Sequence, residues 1–276
     1  MKSIILKMIR IGPLVSVVTA LFSGGHPNHL HAQTADITGS GLNTSIHAGG
    51  MTTFIDGGTR PAGGPNLFHS FGSFSVGEGH TALFRNSDGG ATSNIFGRVT
   101  GGNVSNIFGT IDSATNFPQA NLWLFNPAGF LFGQSASLNV GGSVNISTAD
   151  YLKLTDGNKF FADPSKNSVL SMDPVSAFGF LPSNSLSVPG ITVQASDLRV
   201  RTGQTLSLVG NAFVDLVGAR LTARAGRLNL VSVGPVDGTQ GEVIASGSGA
   251  ASTLSTTGFS KPGSITIVRT NLDTSS

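Results

Sequence analysis

The sequence predicts an all-β chain wound into a solenoid, a parallel β-helix of short stacked strands. Three observations carry this expectation: a composition suited to strands and tight turns, a repeat of 22 to 23 residues, and glycines between the apolar runs. The chain has 276 residues, enough for one β domain with a sizeable core. Hydrophobic residues make up 39% and charged residues 11%, so the polar surface must come from Ser, Thr, Asn and backbone. Its 38 glycines suit a fold of many turns, where left-handed backbone is needed, and suit helices poorly.

The period is clearest between Ile191 and Val233. The pairs Ile191/Val193, Leu198/Val200, Leu206/Leu208, Val214/Leu216 and Leu228/Leu230, with the single Leu221, each put apolar side chains on one face of a strand. Ile191 and Val214 stand 23 apart, Leu198 and Leu221 also 23, and Leu206 and Leu228 22, so three strand series advance together. Three short strands per turn at a fixed repeat are what a β-helix requires. The six leading residues, Ile191, Leu198, Leu206, Val214, Leu221 and Leu228, are therefore expected to point inward on stacked coils. Gly203, Gly210, Gly218 and Gly226 fall between the runs. An antiparallel sandwich is the competing architecture, but it needs longer strands than these, which recur every seven or eight residues.

Upstream, Ser93-Asn94-Ile95-Phe96-Gly97 recurs identically as Ser105-Asn106-Ile107-Phe108-Gly109, an offset of 12. That is too short for a full coil and is read as consecutive strands with analogous turns, a hairpin-like elaboration on the helix. Phenylalanines crowd between Phe54 and Phe132, so the first half should have the bulkier core.

The N-terminus reads as a secretory signal peptide over residues 1–32: Lys2, Lys7 and Arg10, then an apolar stretch from Ile11 to Phe22, then a polar region. Cleavage is expected after Ala32. A membrane anchor is the alternative, but the apolar stretch is well short of the ~20 residues that span a bilayer. Removing those three cations leaves 13 basic residues against 14 acidic, so nucleic-acid binding loses its electrostatic support. Residues 33–235 are expected to form the β-helix. Residues 236–276, rich in Gly, Ser and Thr, are expected to be a linker or the start of a downstream repetitive region. The chain has no cysteine, which excludes disulfides and thiolate metal sites.

Several ordered blocks resemble the secretion domain of filamentous-haemagglutinin-like, two-partner secretion exoproteins. They are NLFHSFGSFSVGEG at Asn66–Gly79, SNIFGRVTGGNVSNIFGTI at Ser93–Ile111, NLWLFNPAGFLFGQSASLNVGGS at Asn121–Ser143, ITVQASD from Ile191 and TGQTLSLVG from Thr202. The likeness covers roughly Asp36 to Gly234. It implies a right-handed parallel β-helix (solenoid) with extra short antiparallel strands and an N-terminal cap. It also implies an exported adhesin-like exoprotein of a Gram-negative bacterium that passes the general secretory machinery and the periplasm. The implied partner is a dedicated outer-membrane β-barrel transporter with periplasmic receptor domains, and the product is secreted or held at the cell surface. The family's N-P-N-G type secretion motif stands here as Asn126-Pro127-Ala128-Gly129. Ala128 departs from the pattern, so no role resting on that amide carries over. Asn86-Ser87-Asp88-Gly89 occupies about the place of a second, N-P-N-L type motif without matching it.

Beside the resemblance, turn chemistry alone gives the motif a physical reading. Pro127 fixes φ at the second position of a turn, Gly129 can supply a positive φ, and Asn126 can bond its own turn backbone. On that reading replacing Asn126 removes only local hydrogen bonds, and export is expected to suffer more than folding.

No catalytic, cofactor or metal residues are expected. Gly77-Glu78-Gly79-His80-Thr81-Ala82 mimics a dinucleotide fingerprint but lacks the helix that must follow. His26, His29 and His31 lie in the leader and read as a polar spacer rather than metal ligands. A secreted polysaccharide lyase or hydrolase is the rival reading, and it needs clustered carboxylates. The best pair is Asp215 and Asp237, 22 apart and so able to stack on adjacent coils. A third reading is a free-standing adhesin that binds host or surface glycans.

Overall fold

The computed structural model describes residues 4–6, 35–182, 190–246 and 253–276. Among them the chain is all-β, with a single 3-10 turn at Pro61–Gly63. Three faces run the length of a parallel β-helix. The first is an eight-stranded sheet in the order Ile4–Leu6, Arg227–Val233, Thr205–Asn211, Val144–Ser147, Asn121–Phe125, Asn94–Val99, Asn66–Ser75, Asp36–Gly39. The second stacks Ser264–Val268, Phe213–Val217, Ile191–Gln194, Phe130–Phe132 and Ser105–Ile107. The third begins with Thr44–Gly49, Thr52–Gly57, Thr81–Phe84, Thr110–Asp112 and Ser137–Asn139, and ends with Asp197–Arg199, Arg220–Thr222 and Asn271–Asp273.

Register explains the core. On the first face Leu67, Ile95, Leu122, Val144, Leu206 and Leu228 are consecutive partners, each almost fully buried, so one apolar column passes through the molecule. Ile191 pairs with Val214 on the second face and Leu198 with Leu221 on the third. All six residues expected inward are 0% exposed, as the repeat requires. Each coil thus buries its apolar side only by stacking on a neighbour.

Polar residues also stack. Asn94 Nδ2 donates to Asn66 Oδ1 at 2.9 Å and Asn121 Nδ2 to Asn94 Oδ1 at 3.0 Å, a side-chain ladder over three coils. This satisfies the buried Asn66 amide, which unpaired would cost about 1–3 kcal/mol, and ties it to its half-buried neighbours.

The first face is buried on both sides, with apolar residues inward and a mixture of Phe, Val, Asn and Ser outward. Its outward residues Phe68, Phe96, Phe125, Val209 and Val231 form a second core with Leu152, Phe160, Phe178, Phe180 and Val243. Phe68 stacks on Phe96 at 4.5 Å, and Phe160 meets Phe68 edge-on at 5.0 Å. The cover is an antiparallel sheet outside the helix, in the order Lys159–Phe161, Tyr151–Leu154, Val175–Phe180, Gly241–Ser246, Thr253–Thr257. Its strands come from two separate excursions, one after Val144–Ser147 and one after Arg227–Val233. At the other end, Asp36–Gly39 lies antiparallel to Asn66–Ser75, and Thr44–Gly49 to Thr52–Gly57, capping the first coil.

Two expectations need correcting. The repeated SNIFG segments are not a hairpin: Asn94–Val99 lies on the first face and Ser105–Ile107 on the second face of the same coil. Both isoleucines point inward, and the offset of 12 measures the step between faces rather than between coils. For the segment 236–276 it is the linker alternative that does not describe what is seen, and a further coil is present instead. Ser264–Val268 continues the second face beside Phe213–Val217, and Asn271–Asp273 the third beside Arg220–Thr222. The leader and its cleavage site lie outside the described residues except for Ile4–Leu6, which runs parallel to Arg227–Val233.

Candidate functional site

Asn121–Phe125 delivers the chain into the Asn126 turn at the corner between the first and second faces. The Gly129 N–H donates to the Asn126 carbonyl at 3.0 Å and closes the turn, with Pro127 and Ala128 at its tip. Asn126 Oδ1 accepts from the Ala128 N–H at 2.9 Å, the self-bonded turn that the residue type favours. Gly129 sits at φ +106°, where a side chain would be strained.

The reach of Asn126 is longer than turn chemistry alone implies. Its Nδ2 donates to Asn103 O, 23 residues back, at 2.9 Å, and to the buried Ser105 Oγ at 3.0 Å. Its N–H donates to Ser147 O at 2.9 Å, and Ser105 N–H donates to Gly129 O at 3.0 Å. The side chain is therefore a buried clamp between coils, which corrects the expectation of purely local bonds. Asn126 and Gly129 are buried while Pro127 and Ala128 are half-buried. The latter two line a groove of about 270 Å³ with Asp150, Ala162 and Lys166. Burial raises the Asp150 carboxyl above its usual range, opposed by the Leu181 N–H that bonds it at 2.7 Å.

Asn86–Gly89 forms a loop organised by a residue the sequence reading missed. Arg60, whose side chain is only 6% exposed, donates from Nε to Asp88 Oδ2 at 2.6 Å and from Nη2 to Thr92 Oγ1 at 2.6 Å. It also reaches the carbonyls of Ala91 at 3.2 Å and Gly90 at 3.3 Å. The Arg60 bond holds the Asp88 carboxyl below its ordinary value against the opposing effect of burial. Asp88 stands 28 residues after Arg60, the same advance that pairs Asn66 with Asn94, and that spacing was the available signal.

Two polar anchors hold the outer sheet. Arg98, on Asn94–Val99, donates to Ser70 Oγ at 2.8 Å and to Phe161 O at 2.9 Å beneath the Phe160 ring. Glu242 accepts from the buried Tyr151 hydroxyl at 3.1 Å and from Lys153 Nζ at 3.1 Å, joining the two excursions. The Tyr151 ring lies over Gly179, its cross-strand partner, where a Cβ would come within 2.0 Å of the ring.

The carboxylates do not gather into a groove. Asp215 is in register with Thr192 and Thr266, while Asp237 lies in the second excursion with its N–H on Gly258 O, so the expected stacking does not occur. Among the described residues no three His, Asp or Glu side chains are grouped to hold a metal. Ser45, His47 and Asp56 are neighbours, but Ser45 and Asp56 both address His47 Nε2, at 3.0 and 3.8 Å. Asp56 is moreover engaged by Arg85, so the trio lacks the two-ended relay of a nucleophile triad. Gly77–Ala82 leads into the strand Thr81–Phe84 rather than a helix, which removes the dinucleotide mimic.

Comparison with known proteins bears on the family and the fold. The family described as the TPS secretion domain matches residues 32–274. Among solved structures, the HMW1 secretion domain from Haemophilus influenzae is similar at 17% identity with a TM-score of 0.51, covering 87% of this chain and 57% of that one. At that identity the likeness speaks for the fold, and the chain spans a little over half the length of that relative. No curated relative matches the chain.

Proposed function

The chain belongs to the two-partner secretion family as a secretion domain, and from that premise we propose how it is exported. The general secretory machinery delivers it to the periplasm, where a dedicated outer-membrane β-barrel transporter with periplasmic receptor domains binds it unfolded. It then folds coil by coil outside a Gram-negative cell, to be held at the surface or released. Its role is targeting rather than catalysis.

The observation that carries this reading is the coil-to-coil register. The column from Leu67 to Leu228 is built from nearest-neighbour contacts, so each coil that emerges can stack on a folded template and oppose return. Before folding, the same apolar strands can add to an exposed sheet edge of a receptor domain. In this scheme Asn126-Pro127-Ala128-Gly129 acts as a folding clamp: Asn126 ties the third coil to the second as it leaves the pore, and Pro127 and Ala128 stay accessible.

The test is capture on the immobilised periplasmic region of the transporter. Mature chain diluted from urea should be retained, and the same chain refolded beforehand should not. Equal retention of the folded chain would contradict recognition in the unfolded state.

A further inference from the structure

The C-terminal side of the first face carries a strand edge that the export scheme does not use. Arg227–Val233 pairs along its whole length with Thr205–Asn211 on one side. On the other side its far end is closed, where the Gly263 N–H donates to Ser232 O at 3.0 Å and Val233 bridges Pro262. Between Leu228 and Leu230 the strand on that edge, among the described residues, is Ile4–Leu6 from the leader.

Residue spacing explains why this segment fits. It runs parallel, with Ile4 in register with Leu228, Ile5 with Asn229 and Leu6 with Leu230. Leu206 and Leu208 hold the same two outer positions one coil earlier, and Val144 and Ile146 hold them on the coil before that. Ile4 and Leu6 therefore continue two apolar columns by register, and Leu228 and Leu230 are 0% exposed although no later strand of the solenoid covers that edge among the described residues. An added strand removes apolar surface from water and pairs backbone groups that a free edge leaves open.

The middle position fits less well. Asn145, Ser207 and Asn229 are successive partners there, and Asn229 Nδ2 donates to Ser207 Oγ at 3.2 Å. Asn229 Oδ1 is buried without a hydrogen-bond partner, and isoleucine at position 5 has no side-chain donor to offer it. Chain length permits the docking. Ile4–Leu6 and Asp36–Gly39 are the two ends of the eight-stranded sheet, about 34 Å apart at roughly 4.8 Å per strand. Residues 7–34 join them, and a segment of that length reaches up to about 90 Å when extended.

We propose that the edge of Arg227–Val233 is a docking surface for an apolar strand, and that its occupant in the folded precursor is the chain's own leader. Folding before cleavage then withdraws Ile4–Leu6 from proteases and membranes, whereas an unfolded precursor leaves it free for the secretory machinery. The withdrawal rests on residues 1–32 acting as a leader; the docking does not.

The experiment is limited trypsin digestion of the refolded precursor, residues 1–276, read by mass spectrometry, with a synthetic peptide of residues 1–10 as the free reference. Cleavage after Lys7 requires Ile4–Leu6 to enter the protease, so docking should slow it at least about tenfold relative to the peptide. Each variant is compared with the peptide of its own sequence. Ile4→Asp puts a charge into an apolar column and should restore the free rate while the thermal melt of the solenoid holds. Ile5→Asn supplies a donor for Asn229 Oδ1 and should slow cleavage further. A parent cut at the peptide's rate, or Ile4→Asp protected like the parent, would overturn the docking. Protection that rises with precursor concentration would place the leader on a second copy and overturn the intramolecular assignment. Exported chain that retains Met1 would overturn the withdrawal and not the docking.

Discussion

Asn126 is held from three directions, and that decides what its replacement does. Asn126→Ala leaves Asn103 O, the buried Ser105 Oγ and the Ala128 N–H without their partner. The cost should be about 1–3 kcal/mol, chiefly from the buried Ser105 Oγ left unsatisfied rather than from one local bond. The melt of purified chain should fall, and the exported fraction should fall with it; a parent-like melt would refute the clamp. Pro127→Ala disturbs no side-chain hydrogen bond and should shift the melt by less than about 1 kcal/mol. His69 makes a second residue-scale prediction. It is fully buried, and burial, helped by the Arg60 charge and opposed by Asp56 and Asp88, lowers its pKa from 6.5 to about 3. The unfolded chain therefore takes up the proton first, and the His69 contribution to stability is constant above about pH 7 and falls as pH drops from 6.5 toward 3. At pH 5 the loss should reach about 2 kcal/mol, read as the difference between urea melts at pH 7 and pH 5. His69→Phe should flatten that slope; an equal slope in parent and variant would count against it.

At the scale of elements, the outer sheet is assembled from two excursions whose strands pair along Val175–Phe180 and Gly241–Ser246. Glu242→Ala strips the buried Tyr151 hydroxyl of its acceptor and Lys153 of its counter-ion, a loss of roughly 2–3 kcal/mol local to that sheet. Hydrogen exchange should quicken in Tyr151–Leu154 and Val175–Phe180 while Thr205–Asn211 keeps its protection. A uniform change across both would mean that the outer sheet and helix open as one unit. Strand positions were legible in the sequence where the repeat was undisturbed, as between Ile191 and Val233. They were obscured where an excursion intervenes: Val144 and Leu206 are register partners 62 residues apart, and no short-range period reveals that. The phenylalanines do make the interior of the first half bulky, with Phe71, Phe74, Phe84, Phe130 and Phe132 inside the helix, but Phe68 and Phe96 pack outside it, under a sheet that alternation along one strand cannot show. The Asn126 turn was legible because Pro and Gly act locally. Arg60 and Arg98 were not, because their partners sit one coil or one excursion away.

For the molecule as a whole, a stack of coils sealed by a cap at its N-terminal end and braced by an outer sheet suits the proposed route, on which the chain emerges extended and folds in order. The absence of cysteine fits the same passage, since no covalent bridge can form before export. On the proposed export scheme the cap and its first coil form before the Asn126 clamp, and the brace through Glu242 follows, ahead of Ser264–Val268 and Asn271–Asp273. The most direct measurement is export of a passenger fused behind this chain, in cells with and without its outer-membrane transporter. Passenger should appear outside the cell only when the transporter is present, with a sharp drop for a fusion carrying Asn126→Ala. Passenger reaching the medium equally without the transporter would contradict it.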